Sequence, residues 1–344
     1  MSIYFSSFSW FSWRATILPL TIFLHACASG SHVQVASENF NSRVSLIVIH
    51  FTTADFRESL QILTKPSRNP VSSHYLIPEP GDQTYDRKDL RIYELVPETD
   101  RAWHAGSSYW GGRISLNDQS IGIELVNQSY CYPATAGVAV DTAAGTASLD
   151  DTGETSATAA SICFYPDFSD SQIELLVGLL DDIHQRHPSI LPTQIVGHAD
   201  IAPERKVDPG PRFPWQRLYR LGYGAWYDDD TVIRYWERFR VLPMPLCNVQ
   251  KALKAYGYGV KVTGRFDEQT RNVLRAFQMH FRPWDTSGRT TTETVAVLYA
   301  LIEKYYPEQL DDLLQIETLP QERSFSLTED HSRRACHESW PDYP

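Results

Sequence analysis

Residues 45–50 read Ser-Leu-Ile-Val-Ile-His, an unbroken apolar, β-branched run that closes on a histidine. Continuity of this kind, without polar alternation, is the pattern of a strand buried on both faces. Such strands belong to sheets covered by helices on each side. Working outward, residues 121–125 (Ile-Gly-Ile-Glu-Leu) alternate, placing Ile121, Ile123 and Leu125 on one face and Glu124 on the other. Residues 74–77, 91–96 and 194–197 are shorter strand candidates. Phe56, Leu60 and Leu63 follow Thr53, a candidate cap, at helical spacing. A second helix is predicted from Ser171 to His187, with Ile173, Leu176, Leu180 and Ile183 on one stripe and Pro188 as its stop. The pattern predicts an α/β fold with a mixed central sheet flanked by helices.

Farther along the chain the texture changes. Between Tyr130 and Asp167 runs a stretch of Ala, Thr, Ser, Gly and Asp with little bulk to bury, expected as a surface insertion. Residues 223–243 are rich in Asp, Trp and Tyr and are expected to link two units. Three short helices then follow, from Val249 to Tyr256, Asp267 to His280 and Thr292 to Tyr305, as expected for a small helical domain. The residues beyond about 311 look irregular. The expected organisation is a signal peptide at 1–26, a linker at 27–43 and a catalytic domain at 44–222 that carries the 131–163 insertion. A linker at 223–243, a helical domain at 244–308 and a tail at 309–344 complete it.

At 344 residues the chain has room for two domains, and its 42% hydrophobic content suits a packed core. Net charge is −11, with 31 basic and 42 acidic residues and no stripe of Lys and Arg, so no nucleic-acid partner is expected. Near the N-terminus, Arg14 precedes the uncharged run Ala15 to Leu24. About ten apolar residues are too few to span a ~30 Å hydrocarbon core, but they suit the core of a secretory signal. The run leads into Leu24-His25-Ala26-Cys27, which resembles a bacterial lipoprotein signal, although His25 is unusual within it. Lipidation at Cys27 is the expectation, with Ala28 favouring a periplasmic protein anchored to the outer membrane. A signal peptide cut elsewhere is the alternative.

Cys131, Cys163, Cys247 and Cys336 remain, an even number that in an exported chain suggests disulfides. Four cysteines allow three pairings. Order along the chain favours Cys131–Cys163 and Cys247–Cys336. A zinc site built from them is disfavoured because no pair has CxxC spacing.

Three other residues are candidate metal ligands: His50 and His198, each ending a strand, and Asp208 in the loop Asp-Pro-Gly-Pro. Two imidazoles and a carboxylate suit Zn²⁺ and leave the fourth tetrahedral position for water, the arrangement of a catalytic zinc. Singly, each residue has an ordinary reading, as a hydrogen-bonded histidine or a turn former.

Residues 197–211 (Gly-His-Ala-Asp-Ile-Ala-Pro-Glu-Arg-Lys-Val-Asp-Pro-Gly-Pro) closely resemble the signature loop of the type-2 N-acetylmuramoyl-L-alanine amidases. So do Ala102-Trp103-His104-Ala105-Gly106 and the run from Leu116 to Glu124, and the strand ending in His50 is a further match. The resemblance spans roughly residues 44–222. It implies the type-2 amidase fold, one Zn²⁺ per chain held by His50, His198 and Asp208, and peptidoglycan or muropeptides as substrate. Glu124 falls on the general base toward the attacking water, and Lys206 on the residue that stabilises the oxyanion. The expected reaction is hydrolysis of the amide between the lactyl group of N-acetylmuramic acid and L-alanine. His104 is expected either to contact substrate or to support a ligand from behind, and Trp103 and Trp110 to offer faces for sugar or peptide. Within the family, the signal and the helical module look most like its lipoprotein members.

In the second unit, Val249 to Leu253, Gly264-Arg265-Phe266-Asp267, Thr270 and Ala276-Phe277-Gln278 resemble the small three-helix peptidoglycan-binding module. The same residues also serve as turn, cap and core. A monomer is expected. The competing readings are a recognition protein that binds peptidoglycan without cutting it and a zinc peptidase acting on the stem peptide.

Overall fold

The computed structural model describes residues 35, 37–39, 42–132 and 162–315. The described residues from Ser42 to Gln315 belong to one compact unit. Cys27 and Cys336, and most of the 131–163 insertion, lie outside the described residues.

The opening run becomes β1 (Leu46–Phe51), buried at every residue. It sits inside a five-stranded sheet ordered β3-β2-β6-β1-β9, with β2 at Tyr75–Ile77, β3 at Tyr93–Glu94, β6 at Ser120–Leu125 and β9 at Ile195–Gly197. Strands β2, β6, β1 and β9 run parallel and β3 antiparallel. The expected mixed sheet flanked by helices is therefore present. Two short ribbons complete the strands: β4 (Tyr109–Trp110) with β5 (Arg113–Ile114), and β7 (Tyr130–Tyr132) with β8 (Ile162–Phe164).

Helix α1 (Phe56–Thr64) starts two residues later than Thr53 suggests, because Asp55 caps it by accepting from the Glu58 amide. Thr53 instead takes a left-handed conformation, φ 56°. Helix α2 (Asp170–Arg186) opens on a capping box: Ser169 accepts from the Gln172 amide while the Gln172 side chain returns to Ser169. Its stripe Ile173, Leu176, Leu180 and Ile183 is fully buried. Two short helices, α3 (His198–Ile201) and α4 (Trp215–Arg220), follow β9.

Within the expected linker at 223–243, Asp229–Val241 forms a 13-residue helix, α5, that was not predicted. Its acidic start suits a helix N-terminus. Tyr235 and Phe239, one turn apart, are buried with their ring centroids 5.9 and 5.0 Å from that of Tyr299. The predicted helices are α6 (Leu246–Tyr256), α7 (Glu268–Phe281, capped by Asp267) and α8 (Thr292–Tyr305, capped by Thr291). The start of the tail also departs from expectation. Pro307–Leu314 is helix α9, in which Leu313 is buried and its carbonyl accepts from both Asn248 Nδ2 and Tyr299 O–H.

Cys131 and Cys163 are disulfide-bonded as their order suggested, directly opposite one another in β7–β8. Cys247 is buried in α6.

Candidate metal centre and its surroundings

Parallel pairing puts the carboxyl ends of β1, β6 and β9 on one edge, and the register decides what meets there. His50 pairs with Glu124 across β1–β6, and Ile49 pairs with Gly197 across β1–β9. Residues in register point to the same face, so Glu124 shares a face with His50, and His198, one step past Gly197, arrives beside it. Asp208 reaches the same place from the loop after α3. Its carbonyl accepts the Ala199 N–H at 2.8 Å, which fastens the two segments together. Gly197 is glycine for want of space: a Cβ there would stand 2.6 Å from Pro209 Cδ.

His50, His198 and Asp208 are all buried, and one ligand atom of each lies within 4.8 Å of the others. Hydrogen bonds on the far sides of the rings fix their tautomers. Ser120 Oγ donates to the Leu116 carbonyl at 2.6 Å, so it accepts from His104 Nε2 at 3.1 Å. His104 Nδ1 is then the acceptor for His50 Nε2–H at 3.0 Å. His198 Nε2–H donates to the Ala105 carbonyl at 3.2 Å. Both Nδ1 lone pairs are left facing Asp208 Oδ2, at 2.9 and 3.1 Å. Three acceptors aimed at one point repel unless a cation joins them, so this donor set fits a metal ion. Burial keeps His198 neutral, lowering it to about 4 against the pull of Asp208.

Glu124 stands beside the group with Oε2 buried and without a hydrogen-bond partner among the described residues. Burial pushes its carboxyl up to about 7; His50 and Lys206 pull it down, and Asp208 pushes it up. A carboxylate poised near neutrality can take and return a proton. Lys206 is half-buried, and its charge is felt by both Glu124 and His198.

His104 is buried on the ring edge of His50, in a cradle that only glycine leaves open. A Cβ on Gly122 would lie 2.5 Å from His104 Cγ. The structure therefore gives His104 to the support of His50. Trp103 is half-exposed beside it. Trp110 is not brought to the site as an open face. It is 5% exposed, with its Nε1–H on the Thr193 carbonyl and its ring edge-on to Tyr256 and Tyr258. It borders a cavity of about 520 Å³, also lined by Arg113, Lys254 and Tyr306, to which none of the three metal-facing residues contributes.

Several supports were not singled out from sequence. Asn117 Oδ1 accepts the His104 and Ala105 amides at 3.0 and 2.7 Å. Arg205 clamps the Ala105 and Ser107 carbonyls at 2.5 and 2.7 Å. Asp200 accepts the Gly197 amide at 2.8 Å. All three lie inside the motif segments quoted above, but their partners are set only by the fold.

The N-acetylmuramoyl-L-alanine amidase family model matches residues 40–211, half of the chain. The chain belongs to this family. A putative peptidoglycan-binding domain matches residues 246–298 of the same amidase. It is 42% identical over 264 residues to the N-acetylmuramoyl-L-alanine amidase AmiD of Escherichia coli K12, covering 76% of this chain and 84% of the relative. The crystal structure of AmpDh3 from Pseudomonas aeruginosa in complex with anhydromuramic pentapeptide superposes with a TM-score of 0.67 at 41% identity. That match covers 83% of this amidase and 99% of AmpDh3. The E. coli AmiD complex with anhydro-N-acetylmuramic acid-L-Ala-D-γ-Glu-L-Lys gives 0.61 at 38% identity, covering 79% and 93% of the two chains.

Proposed function

We propose that this amidase hydrolyses the amide between the lactyl group of N-acetylmuramic acid and the L-alanine of the stem peptide, using one Zn²⁺ held by His50, His198 and Asp208. The convergence of two bare Nδ1 atoms and Asp208 Oδ2 carries the reading. Zinc supplies there a Lewis acid for the amide carbonyl and a positive charge that acidifies the attacking water. Glu124 Oε2, buried and unpartnered, accepts the proton of that water and passes it to the departing alanine nitrogen. Lys206 offers its ammonium to the oxygen anion that forms on the carbonyl. Trp103 is the exposed surface for sugar or peptide beside the site. A recognition-only protein would have no use for Glu124 held near neutrality next to a metal centre.

Incubating muropeptides with and without a chelator tests this. Released stem peptide beginning with L-alanine, detected by mass and abolished by the chelator, is the expected result. Cleavage within the stem peptide, or intact muropeptide in both arms, would overturn it.

For location, the 15–27 segment supports a lipid anchor at Cys27 and action in the periplasm from the outer membrane. No helix among the described residues is long and apolar enough to cross a membrane. Cys27→Ser should release the protein from the membrane fraction. The division into a catalytic domain at 44–222 and a wall-binding module at 244–308 accords with the separate family matches, and pull-down on purified sacculi tests the module.

A further inference from the structure

Asp200 is a buried carboxylate that the proposed reaction does not use. It is 2% exposed and lies two residues beyond His198. Its Oδ2 accepts the Gly197 amide at 2.8 Å, at the turn where β9 hands over to His198. Its other donors come from the helical module. Tyr258 O–H reaches Oδ1 at 2.6 Å, and His280 Nδ1 reaches Oδ2 at 2.8 Å. His280 Nε2 is buried with no partner among the described residues, and with Nδ1 on the carboxylate the ring proton sits on Nδ1 and is donated to Asp200. The imidazole lies flat on Trp215, with centroids 3.8 Å apart and planes 15° apart. Apolar contact alone would join two modules at less cost than a buried carboxylate, which must be matched by donors. Here the matched carboxylate is the one that anchors the turn carrying a metal-facing histidine. The same turn is wedged against Asp208 and Pro209, so its placement also sets where Asp208 stands.

We propose that Tyr258 and His280 are positioning residues for the metal centre, acting through Asp200 on the turn that presents His198 and abuts Asp208. The helical module is in this sense part of the active-site framework as well as a candidate wall binder. The inference rests on the metal reading of the His50, His198 and Asp208 group.

The test uses the full chain and four variants: Tyr258→Phe, His280→Leu, His280→Asn and Val273→Ala. Zinc affinity is measured by competition with a chromophoric chelator, kcat and KM on a soluble muropeptide, and Tm on the metal-free chain. Tyr258→Phe and His280→Leu should weaken zinc binding roughly tenfold, the lower end for groups that orient ligands, and lower kcat with KM unchanged. His280→Asn, which keeps an N–H donor near the Nδ1 position, should restore both. Val273→Ala, a fully buried truncation in α7 two turns before His280, should lower Tm and leave zinc affinity and kcat alone. Tyr258→Phe removes a single hydroxyl and keeps the ring, so it remains readable if His280→Leu fails to fold. Native zinc affinity and kcat in Tyr258→Phe, with only Tm reduced, would overturn the inference while leaving the metal reading intact. An unaltered chain that binds no zinc would defeat the metal reading itself.

Discussion

Glu124 carries the sharpest expectation at the scale of one residue. Its carboxyl is raised from an ordinary 4.5 to about 7, with burial the first cause. A base works ionised, so kcat/KM should fall on the acid side of that value. A bound dication favours the ionised form, so the midpoint of the acid limb should lie at or below about 7. Lys206 also lowers it, so Lys206→Met should move the limb to higher pH, and a pH–rate profile reads the direction. Glu124→Gln should cost ~10²–10⁴ in kcat while the protein keeps its zinc. An unchanged kcat in that variant would remove Glu124 from the chemistry.

At the scale of elements, the site depends on which residue faces which. Gly122 in β6 leaves the space that His104 fills, so Gly122→Ala should displace the imidazole and unsettle His50 behind it. Lost zinc affinity with little change in far-ultraviolet circular dichroism is the expected outcome. For α2 the capping box is the exposed lever: Ser169→Ala should lower stability by about 1 kcal/mol in a urea titration, with activity unchanged. Both β1 and α2 were legible in the sequence because their patterns are local: an unbroken apolar run and a stripe at helical spacing. The three metal-facing residues could be named from sequence, but their convergence could not be derived locally. Residues 50, 124 and 198 meet through strand register, which no single segment contains. Helix α5 was missed for a related reason. Asp228 to Asp230 looks like a solvated connector, and the pairing of Tyr235 and Phe239 with Tyr299 exists only once α8 is in place. Trp110 shows the limit from the other side, since an aromatic beside a motif reads as a ligand face until a second module covers it.

Across the whole molecule, Glu98 joins loop, sheet and helix. Burial alone would raise its carboxyl, yet Arg186, Tyr75 and His187 outweigh that and bring it to about 2. A depressed carboxylate stabilises the fold above its unfolded value near 4.5, and that contribution is lost as pH falls toward 2. Acid unfolding should therefore show a component between about pH 4.5 and 2 that is absent in Glu98→Gln, as followed by tryptophan fluorescence. The covalent cross-tie at Cys131 and Cys163 has a different reach. It bolts together the two rungs from which residues 133–161 depart and return. Whatever hangs there is suspended from a closed hook, and lengthening a loop twofold costs only about 0.6 kcal/mol in chain entropy. Changes of length or composition between these two cysteines should therefore leave the sheet edge that carries His50, Glu124 and His198 unaltered.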